Sequence, residues 1–343
     1  MNAPLTGDVS DTKTRIMGLD CVKGVAIVLM VYGHSTFVGT LSDVQHHIND
    51  YIYTFHMAIF LFISGYLFSP RPAPKVSLKK TFQNLFLPYA IFLTLYLLGL
   101  SIANAREFPT TGQIGRLTLF MWIDKIILHP IGPYWFLHTL VIYQSSLALS
   151  FWIGKKTNTW CLFSFLAITF ILRDVVGMTL SYSNTGFLVL GYAMRLGDVQ
   201  LCQSWRNLIP NVILIVLIYS FYPPKAIHAS FFVQTCLVIS LFFTMLTFFE
   251  TPLLKNISTI MAFVGKNTLV ILVLHVFFLN GFKFFAGAIL SLESTGVLYS
   301  ISVTLLAVAL SIASARVFDA LRISKYFFAR NHVYQPMMTP SDA

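Results

Sequence analysis

Ten apolar stretches recur along this chain of 343 residues, and most are long enough to cross about 30 Å of hydrocarbon as helices. Hydrophobic residues make up 56% of the chain and charged residues only 10%, which is more apolar material than one soluble core can bury. The sequence therefore predicts an all-α, polytopic membrane bundle of about ten transmembrane helices. The predicted spans lie near 17–38, 51–69, 84–103, 134–153, 159–177, 182–195, 208–222, 229–249, 267–286 and 296–318. The sixth and seventh are short, and merging or losing one pair would leave eight.

The distribution of basic residues predicts the orientation of this bundle. If the N-terminus is cytoplasmic, most of the 23 lysines and arginines fall on the cytoplasmic side of a ten-span arrangement. Both termini are then cytoplasmic, with tails at 1–16 and 323–343 and a transmembrane domain at 17–322. Topology and contact with anionic membrane lipid account for the net charge of +10 without a nucleic-acid partner. Binding of an anionic substrate at the cytoplasmic face is the alternative explanation.

The first predicted span contains two side chains that lipid normally excludes, Lys23 and His34. Eleven residues of α-helix return to within about 20° of the starting direction, so both lie on one face, roughly 16 Å apart. Asp20 falls near the same face and has the spacing of an ion pair with Lys23. Charged and titratable residues inside a membrane are costly unless they face one another or a polar cavity. This stripe is therefore the leading candidate for a functional site.

Three further histidines lie within predicted spans, and imidazole is the side chain best suited to proton transfer near neutral pH. Depth along the helices places His56 and His138 near His34, on the outer side, and His275 nearer the middle of the membrane. Trp135 also lies near the outer ends, where it either stacks on a sugar or belongs to an aromatic belt. A structural hydrogen bond between helices is the alternative role for each single histidine.

Two connections and the cysteines complete the analysis of the residues themselves. The segment 104–133 has apolar residues at roughly helical spacing and predicts a helix lying on the outer surface. The inner connection SPRPAPKVSLKKTFQN interrupts the apolar pattern with prolines and holds four cations. The four cysteines are scattered singly, so neither a disulfide framework nor a metal site is predicted.

Several motifs, taken in order, resemble the membrane-bound acyltransferase-3 family. The run LDCVKGVAIVLMVYGHS is similar to the family's first helix, which has a basic residue, ten residues and then histidine. FHMAIFLFISGYLF resembles the second-helix motif, particularly in the fucose 4-O-acetylase-like branch. A basic loop running into LFLPY, then YWFLHTLVIY and VGKNTLVILVLH, follow in the expected order.

The resemblance implies transfer of an acyl group, usually acetyl, from cytoplasmic acyl-coenzyme A to a hydroxyl on a glycan or glycolipid. No tightly bound cofactor is expected, since acetyl-CoA or another acyl-CoA is the donor substrate, and a bacterial cytoplasmic (inner) membrane is the implied location. His34 matches the family's essential histidine. Lys23 matches the basic residue that partners this histidine in the family, which is usually arginine. Unlike arginine, lysine cannot pair bidentately with phosphate. The family's pair of arginines separated by one residue is absent, and Lys79 and Lys80 are the nearest equivalent.

These observations predict roles for the candidate residues. His34 is the general base that removes the acceptor's hydroxyl proton, and His56 positions that hydroxyl or shares the proton. Asp20 and Lys23 keep the cytoplasmic entrance polar and orient the donor, or form a purely structural ion pair. The predicted donor-binding cations are Lys23, Arg71, Lys79 and Lys80, and the predicted acceptor-binding residues are His56, Trp135 and His138.

Two other functions fit parts of the sequence. A proton-coupled transporter of small solutes would also use many spans and buried titratable residues, but the chain has no repeated half and no matching pair of broken helices. A covalent intermediate on Ser64 is disfavoured because FISGY lacks the GxSxG context of an activated serine. Neither the acceptor nor the oligomeric state can be read from the sequence.

Overall fold

The computed structural model describes residues 17–68, 74–106, 117–153, 158–176, 180–197 and 205–337, and within these ranges the regular structure is helical, without β-strands. Each of the ten predicted spans overlaps a helix. These helices are α1 (Met17–Gly33), α3 (His56–Leu67), α5 (Leu87–Ala105), α7 (Trp135–Ile153), α8 (Asn158–Val176), α9 (Tyr182–Leu196), α10 (Trp205–Phe221), α12 (Phe231–Phe249), α14 (Thr268–Phe282) and α16 (Val297–Ala320).

Seven shorter helices connect them. They are α2 (Ser42–Tyr53), α4 (Pro74–Thr81), α6 (Leu119–Ile127), α11 (Pro224–Ala229), α13 (Lys255–Lys266), α15 (Ala286–Leu290) and α17 (Ser324–Phe328). Five helical segments of the described chain are both long and apolar enough to cross a membrane: Lys75–Ala105, Gly132–Ile153, Phe231–Phe249, Thr268–Leu290 and Val297–Ala320. The helical class is confirmed, while the count of about ten spans and the side on which the termini lie stay predictions.

The predicted span 51–69 is not one helix. Helix α2 ends at Tyr53 and α3 begins at His56, with Thr54 and Phe55 at the break. The amide of Gln234 donates to the carbonyl oxygen of Thr54 at 2.8 Å, and so satisfies a backbone acceptor close to the break. The polar helix α2 and the apolar helix α3 are thus separate helices.

The basic inner connection is also more helical than its prolines suggested. Helix α4 begins at Pro74, where a missing amide proton is harmless, and continues through a π-helical turn at Phe82–Phe86 into α5. Lys79 and Lys80 therefore lie on a helix that extends the third predicted span by about three turns.

Two helix pairs approach so closely that only glycine fits at the contact. A Cβ atom on Gly24 of α1 would overlap the carbonyl oxygen of Met261 in α13, and one on Gly265 would overlap that of Asp20. Gly65 of α3 and Gly191 of α9 show the same reciprocal relation. Small residues at helix contacts in membranes allow such backbone approach. These contacts fix α1 and α3, the helices that carry the predicted catalytic residues.

The segment 104–133, in which the sequence predicts a helix at the membrane surface, contains helix α6, while residues 107–116 lie outside the described part of the chain. The hydroxyl of Thr118 accepts the Met121 amide proton at 3.2 Å and caps the start of α6. Leu119 and Phe120 are 72% and 83% exposed, which suits a helix lying against lipid. After its end, the His129 side chain hydrogen-bonds to Asp124 at 2.7 Å and lowers the pKa of that carboxyl.

Part of the predicted C-terminal tail packs onto the bundle. The carboxylate of Asp319 accepts the backbone amide protons of Val333 and Tyr334, both at 2.9 Å at the closest oxygen. Asn267 and the backbone of Gln335 exchange two hydrogen bonds, at 2.9 and 3.0 Å. The chain as far as residue 337 is thus held across the junction of α13 and α14.

Candidate functional site

Lys23 and Asp20 form an ion pair on α1, with Nζ 2.6 Å from Oδ1. The side chains of Lys23 and Asp20 are 18% and 4% exposed, so both charged groups are largely buried in the protein. Burial of the two charges is tolerated because each stabilises the other. The predicted spacing thus produces a contact.

His34 lies just beyond the last residue of α1, and its backbone amide still donates to the carbonyl oxygens of Met30 and Val31, each at 3.2 Å. The helical turn therefore extends to His34 and holds it on the face predicted from the sequence. Its side chain lines a small cavity of about 20 Å³. The side chains of the lining that carry a polar group are those of His34, Tyr53, His56 and Trp135; the rest of the lining is Ile27, Met30, Met57, Phe60, Pro133 and Leu272. A space of this size admits about one water-sized group.

His56 begins α3 and is 1% exposed. Its Nδ1 lies 2.8 Å from the carbonyl oxygen of Ile52. A carbonyl only accepts, so Nδ1 carries the proton and Nε2 of the neutral ring is a hydrogen-bond acceptor. The structure therefore brings two predicted site residues, His34 and His56, to one cavity and fixes the tautomer of the second.

His275 lies against His34, with ring centroids 5.5 Å apart and planes tilted by 40°. It is fully buried in α14, and its Nδ1 donates to the carbonyl oxygen of Ile271 at 2.9 Å. Its Nε2 has no hydrogen-bond partner in the described part of the chain. Sequence analysis placed His275 near mid-membrane and gave it no role; its position at the end of VGKNTLVILVLH was the available signal.

Tyr53, the last residue of α2, is a second neighbour that sequence analysis missed. Its ring lies 6.4 Å from that of His34 and 4.9 Å from that of His56, between the two imidazoles. The phenol hydroxyl is 3.5 Å from the carbonyl oxygen of Gly33. A tyrosine at the end of an apolar stretch is unremarkable in sequence, and only the break between α2 and α3 directs it here.

His138 is placed elsewhere, although Trp135 on the same helix lines the His34 cavity. The Nε2 of His138 donates to the carbonyl oxygen of Ile127 at 2.9 Å, and its ring lies 5.6 Å from that of Tyr89. The expected group of His34, His56 and His138 is thus replaced by one of His34, His56 and His275. The sequence leaves the start of each helix uncertain. The depth of a residue along its helix therefore did not distinguish His138 from His275.

A second and larger cavity, of about 380 Å³, opens at the other end of α3. Lys80 and Arg330 supply its cations, and the remaining lining is Ser64, Leu67, Phe68, Ser77, Thr81, Asn84, Leu85 and Gln144. The Nε of Arg330 donates to Asn84 Oδ1 at 3.0 Å, so the packed C-terminal segment contributes to this cavity. His56 at the first cavity and Ser64 at the second are eight residues, or about 12 Å, apart along α3, while the nearest lining residues, Phe60 and Ser64, are about 6 Å apart along the helix.

The other predicted donor-binding cations have different positions. Lys79 is exposed beside Lys80 but does not line the larger cavity. Lys23 lines neither cavity, and Arg71 lies outside the described residues. Among the residues that the structure describes, no three His, Cys, Asp or Glu side chains are grouped as metal ligands.

Comparison with known proteins gives one match. The profile of the acyltransferase-3 family, described as an acyltransferase domain, matches residues 16–316 and so includes all ten predicted spans except the last residues of the final one. Neither a curated protein nor a solved structure matches the chain. The matched region contains both cavities and every described candidate residue except Arg330. The chain belongs to the acyltransferase-3 family and is an integral membrane acyltransferase.

Proposed function

We propose that this protein is an O-acetyltransferase that moves acetyl from cytoplasmic acetyl-CoA, or another acyl-CoA, to a hydroxyl of a cell-surface or exported glycan. The observation that carries this proposal is the contact between His34 and His275 beside a cavity that His56 also lines. O-acylation needs a base at the attacking hydroxyl. In the described contacts, the imidazoles of His56 and His275 are each hydrogen-bonded to a backbone carbonyl, whereas that of His34 has no such bond.

The tautomers of the neighbouring rings support this assignment. Both His56 and His275 donate from Nδ1 to a backbone carbonyl, which leaves Nε2 of each neutral ring as an acceptor. An acceptor on His275 suits a ring N–H of His34 and leaves the other nitrogen of His34 with a lone pair for the substrate. His275 then acts as the orienting group that an imidazole base usually needs. His56 is suited to accept a hydrogen bond from the acceptor's hydroxyl.

The reaction balances as a direct transfer. His34 takes the hydroxyl proton as the acceptor oxygen attacks the thioester carbonyl, and the tetrahedral intermediate collapses with cleavage of the C–S bond. The thiolate of coenzyme A leaves and receives the proton from the His34 imidazolium. The products are the O-acetyl ester and free coenzyme A. Trp135 lies in the wall of the cavity, where we propose that it contacts the acceptor.

The larger cavity supports the donor side of the proposal. Coenzyme A carries several negative charges, and Lys80 and Arg330 give this cavity positive charge. If the basic side is cytoplasmic, as the lysine and arginine distribution predicts, the donor enters here and its acyl arm follows α3 toward His34. Asp20 and Lys23 keep the inner part of α1 polar; Arg71 and Lys79 are further candidates for electrostatic attraction of the donor. Membership of the fucose 4-O-acetylase-like branch and a bacterial inner-membrane location belong to this proposal.

The experiment is acetyl transfer by the purified full chain in liposomes, with radiolabelled acetyl-CoA and a panel of glycans. We expect label in at least one glycan, and alkaline release of that label as acetate identifies an ester. Proton-coupled movement of a solute with no label in any glycan would contradict the proposal and favour a transporter.

A further inference from the structure

The packed C-terminal segment also forms one wall of a third cavity, of about 200 Å³, where α13 ends and α14 begins. The cavity beside His34 is only about 20 Å³, so this one holds several water-sized groups rather than one. Its described lining consists of Lys266, Asn267, Leu269, Val270, Arg330, Val333 and Gln335. Among these lining residues two are cationic and none is acidic, so the cavity favours an anion.

The wall of this third cavity is held by the side chain of Asn267, which is 1% exposed. Its Oδ1 accepts the backbone amide proton of Gln335 at 3.0 Å, and its Nδ2 donates to the carbonyl oxygen of the same residue at 2.9 Å. Asn267 therefore serves to fix the C-terminal segment, and the charge of the cavity comes from Lys266 and Arg330. Lys266 is half-buried and Arg330 is exposed, so neither cation is sealed inside the bundle.

Arg330 links this cavity to the larger one at the end of α3. Its side chain lines both spaces, with Lys266 as the second cation in one and Lys80 in the other. The Nε of Arg330 donates to Asn84 Oδ1 at 3.0 Å, which anchors the side chain and uses one of the five N–H donors of the guanidinium. The two cavities are thus neighbours that share a cation.

Coenzyme A carries its phosphates in two separate places. A diphosphate joins the pantetheine arm to the nucleoside, and a phosphate monoester lies on the 3′ oxygen of the ribose. In the proposed reaction the acyl arm follows α3 from the larger cavity, so the diphosphate belongs beside Lys80. The monoester, with a charge of about −1.5 to −2 at pH 7, then needs a second cationic site close by.

We propose that Lys266 and Arg330 bind the 3′-phosphate of the acyl-CoA donor in this third cavity. This inference rests on the proposed acetyl transfer and adds a preference between donors, since 3′-dephospho-coenzyme A lacks the group that the cavity binds. The guanidinium of Arg330 matches phosphate with paired N–H groups, and the ammonium of Lys266 adds a point charge. The headgroup of an anionic lipid offers related phosphate chemistry, but the shared lining residue Arg330 favours the donor.

The test compares acetyl-CoA with 3′-dephospho-acetyl-CoA. Binding of each to the purified full chain, in nanodiscs of phosphatidylcholine, is measured by isothermal titration calorimetry and needs no acceptor. We expect the wild-type Kd to be about tenfold higher for the dephospho donor, which lacks the charge-assisted hydrogen bonds of the monoester. Lys266→Met should raise the Kd for acetyl-CoA about fivefold and leave that for the dephospho donor unchanged, so that the ratio falls to about two.

Two further variants separate phosphate binding from folding. Gln335→Glu is nearly isosteric, keeps the backbone bonds to Asn267 and adds a negative charge to the lining, so it should also reduce the preference for acetyl-CoA. The matched control is Lys255→Met, at the other end of α13, because Lys255 lines none of the three cavities. This control should keep the wild-type preference. Thermal unfolding of every variant, measured in detergent, establishes that it is folded.

The other outcomes decide against the inference. Equal affinity of the wild type for the two donors, or equal weakening of both by Lys266→Met, would show that Lys266 does not bind the 3′-phosphate, while the proposed transfer stands. If the cavity binds a lipid headgroup instead, phosphatidylglycerol will raise the Tm of the wild type but not of Lys266→Met, and the donors will bind equally. Absence of both acetyl-CoA binding and acetyl transfer would contradict the proposed function itself.

Discussion

The imidazole of His275 packs against that of His34, 5.5 Å between ring centroids, and joins α14 to the end of α1. The two residues belong to motifs at opposite ends of the membrane region. His275 thus lies beside the proposed base, and His56 and Tyr53 line the same cavity as His34. His138, which is also buried and hydrogen-bonded to a backbone carbonyl, does not line the cavity of His34.

Replacement of His275 by alanine is expected to lower kcat for acetyl transfer by about 10- to 100-fold, with little change in the KM for acetyl-CoA, because it removes the proposed orientation of His34. His138→Ala is the matched control, since His138 is also buried with one nitrogen on a carbonyl and the other unpaired. Steady-state kinetics on both purified variants measures the difference. Equal losses in the two variants would argue against a special role for His275.

The donor cavity predicts different effects for two adjacent lysines. Lys80→Ala and Arg330→Ala remove cations from its lining and should each raise the KM for acetyl-CoA about fivefold, and less at high salt because exposed charges are screened. Lys79→Ala, one residue away and outside the lining, should change it less than twofold. The assay is transfer at varied acetyl-CoA and ionic strength. A larger effect from Lys79 than from Lys80 would place the donor elsewhere.

The ion pair on α1 predicts a stability effect. Asp20→Asn leaves the 18% exposed ammonium of Lys23 without the carboxylate that pairs with it and should destabilise the protein by about 2 kcal/mol, whereas Lys23→Arg, which keeps both charges, should be nearly neutral. The double variant Asp20→Asn with Lys23→Met should recover part of the loss, since no charge is then left buried. Thermal unfolding in detergent measures all three. A stability of Asp20→Asn equal to that of the wild type would show that the ion pair contributes little to the fold.

Glycine contacts give a prediction with an internal control. Gly65→Ala places a methyl group against the Leu188 carbonyl and should cost about 2 kcal/mol as α3 and α9 separate. Gly99→Ala on α5 meets no atom within 4 Å and should be neutral or slightly stabilising, because alanine favours helix over glycine. Unfolding temperatures of the two variants test this. Similar values would mean that α3 and α9 are not in the contact described.

Apolar length and spacing predicted the helical elements well, because both are local properties of the chain. The Lys23–Asp20 contact and the shared face of His34 followed from helical geometry alone. Helix α13 was missed because its polar ends interrupt a short apolar pattern, and its place is fixed by the contact of Gly24 with Met261. Contacts of this kind cannot be predicted from the sequence of one segment.

Whether His34 packs against His275 or against His138 depends on which helices are neighbours. The periodicity of a single sequence does not show which helices are neighbours. The contribution of Arg330 was hidden for a related reason. As a basic residue near the end of the chain it predicts topology, and only the hydrogen bonds of Asp319 to Val333 and Tyr334 bring the segment back over the bundle. Local patterns thus indicated His34 as the proposed base, while its neighbours depend on long-range packing.

The central claim is that His34 removes the acceptor's hydroxyl proton. Its most direct test is the rate of transfer from radiolabelled acetyl-CoA by the purified His34→Ala variant at saturating donor, with thermal unfolding measured on the same sample to establish its fold. We expect kcat to fall by about 10²- to 10⁴-fold at an unchanged Tm. A folded His34→Ala variant that retains the wild-type rate would contradict the account.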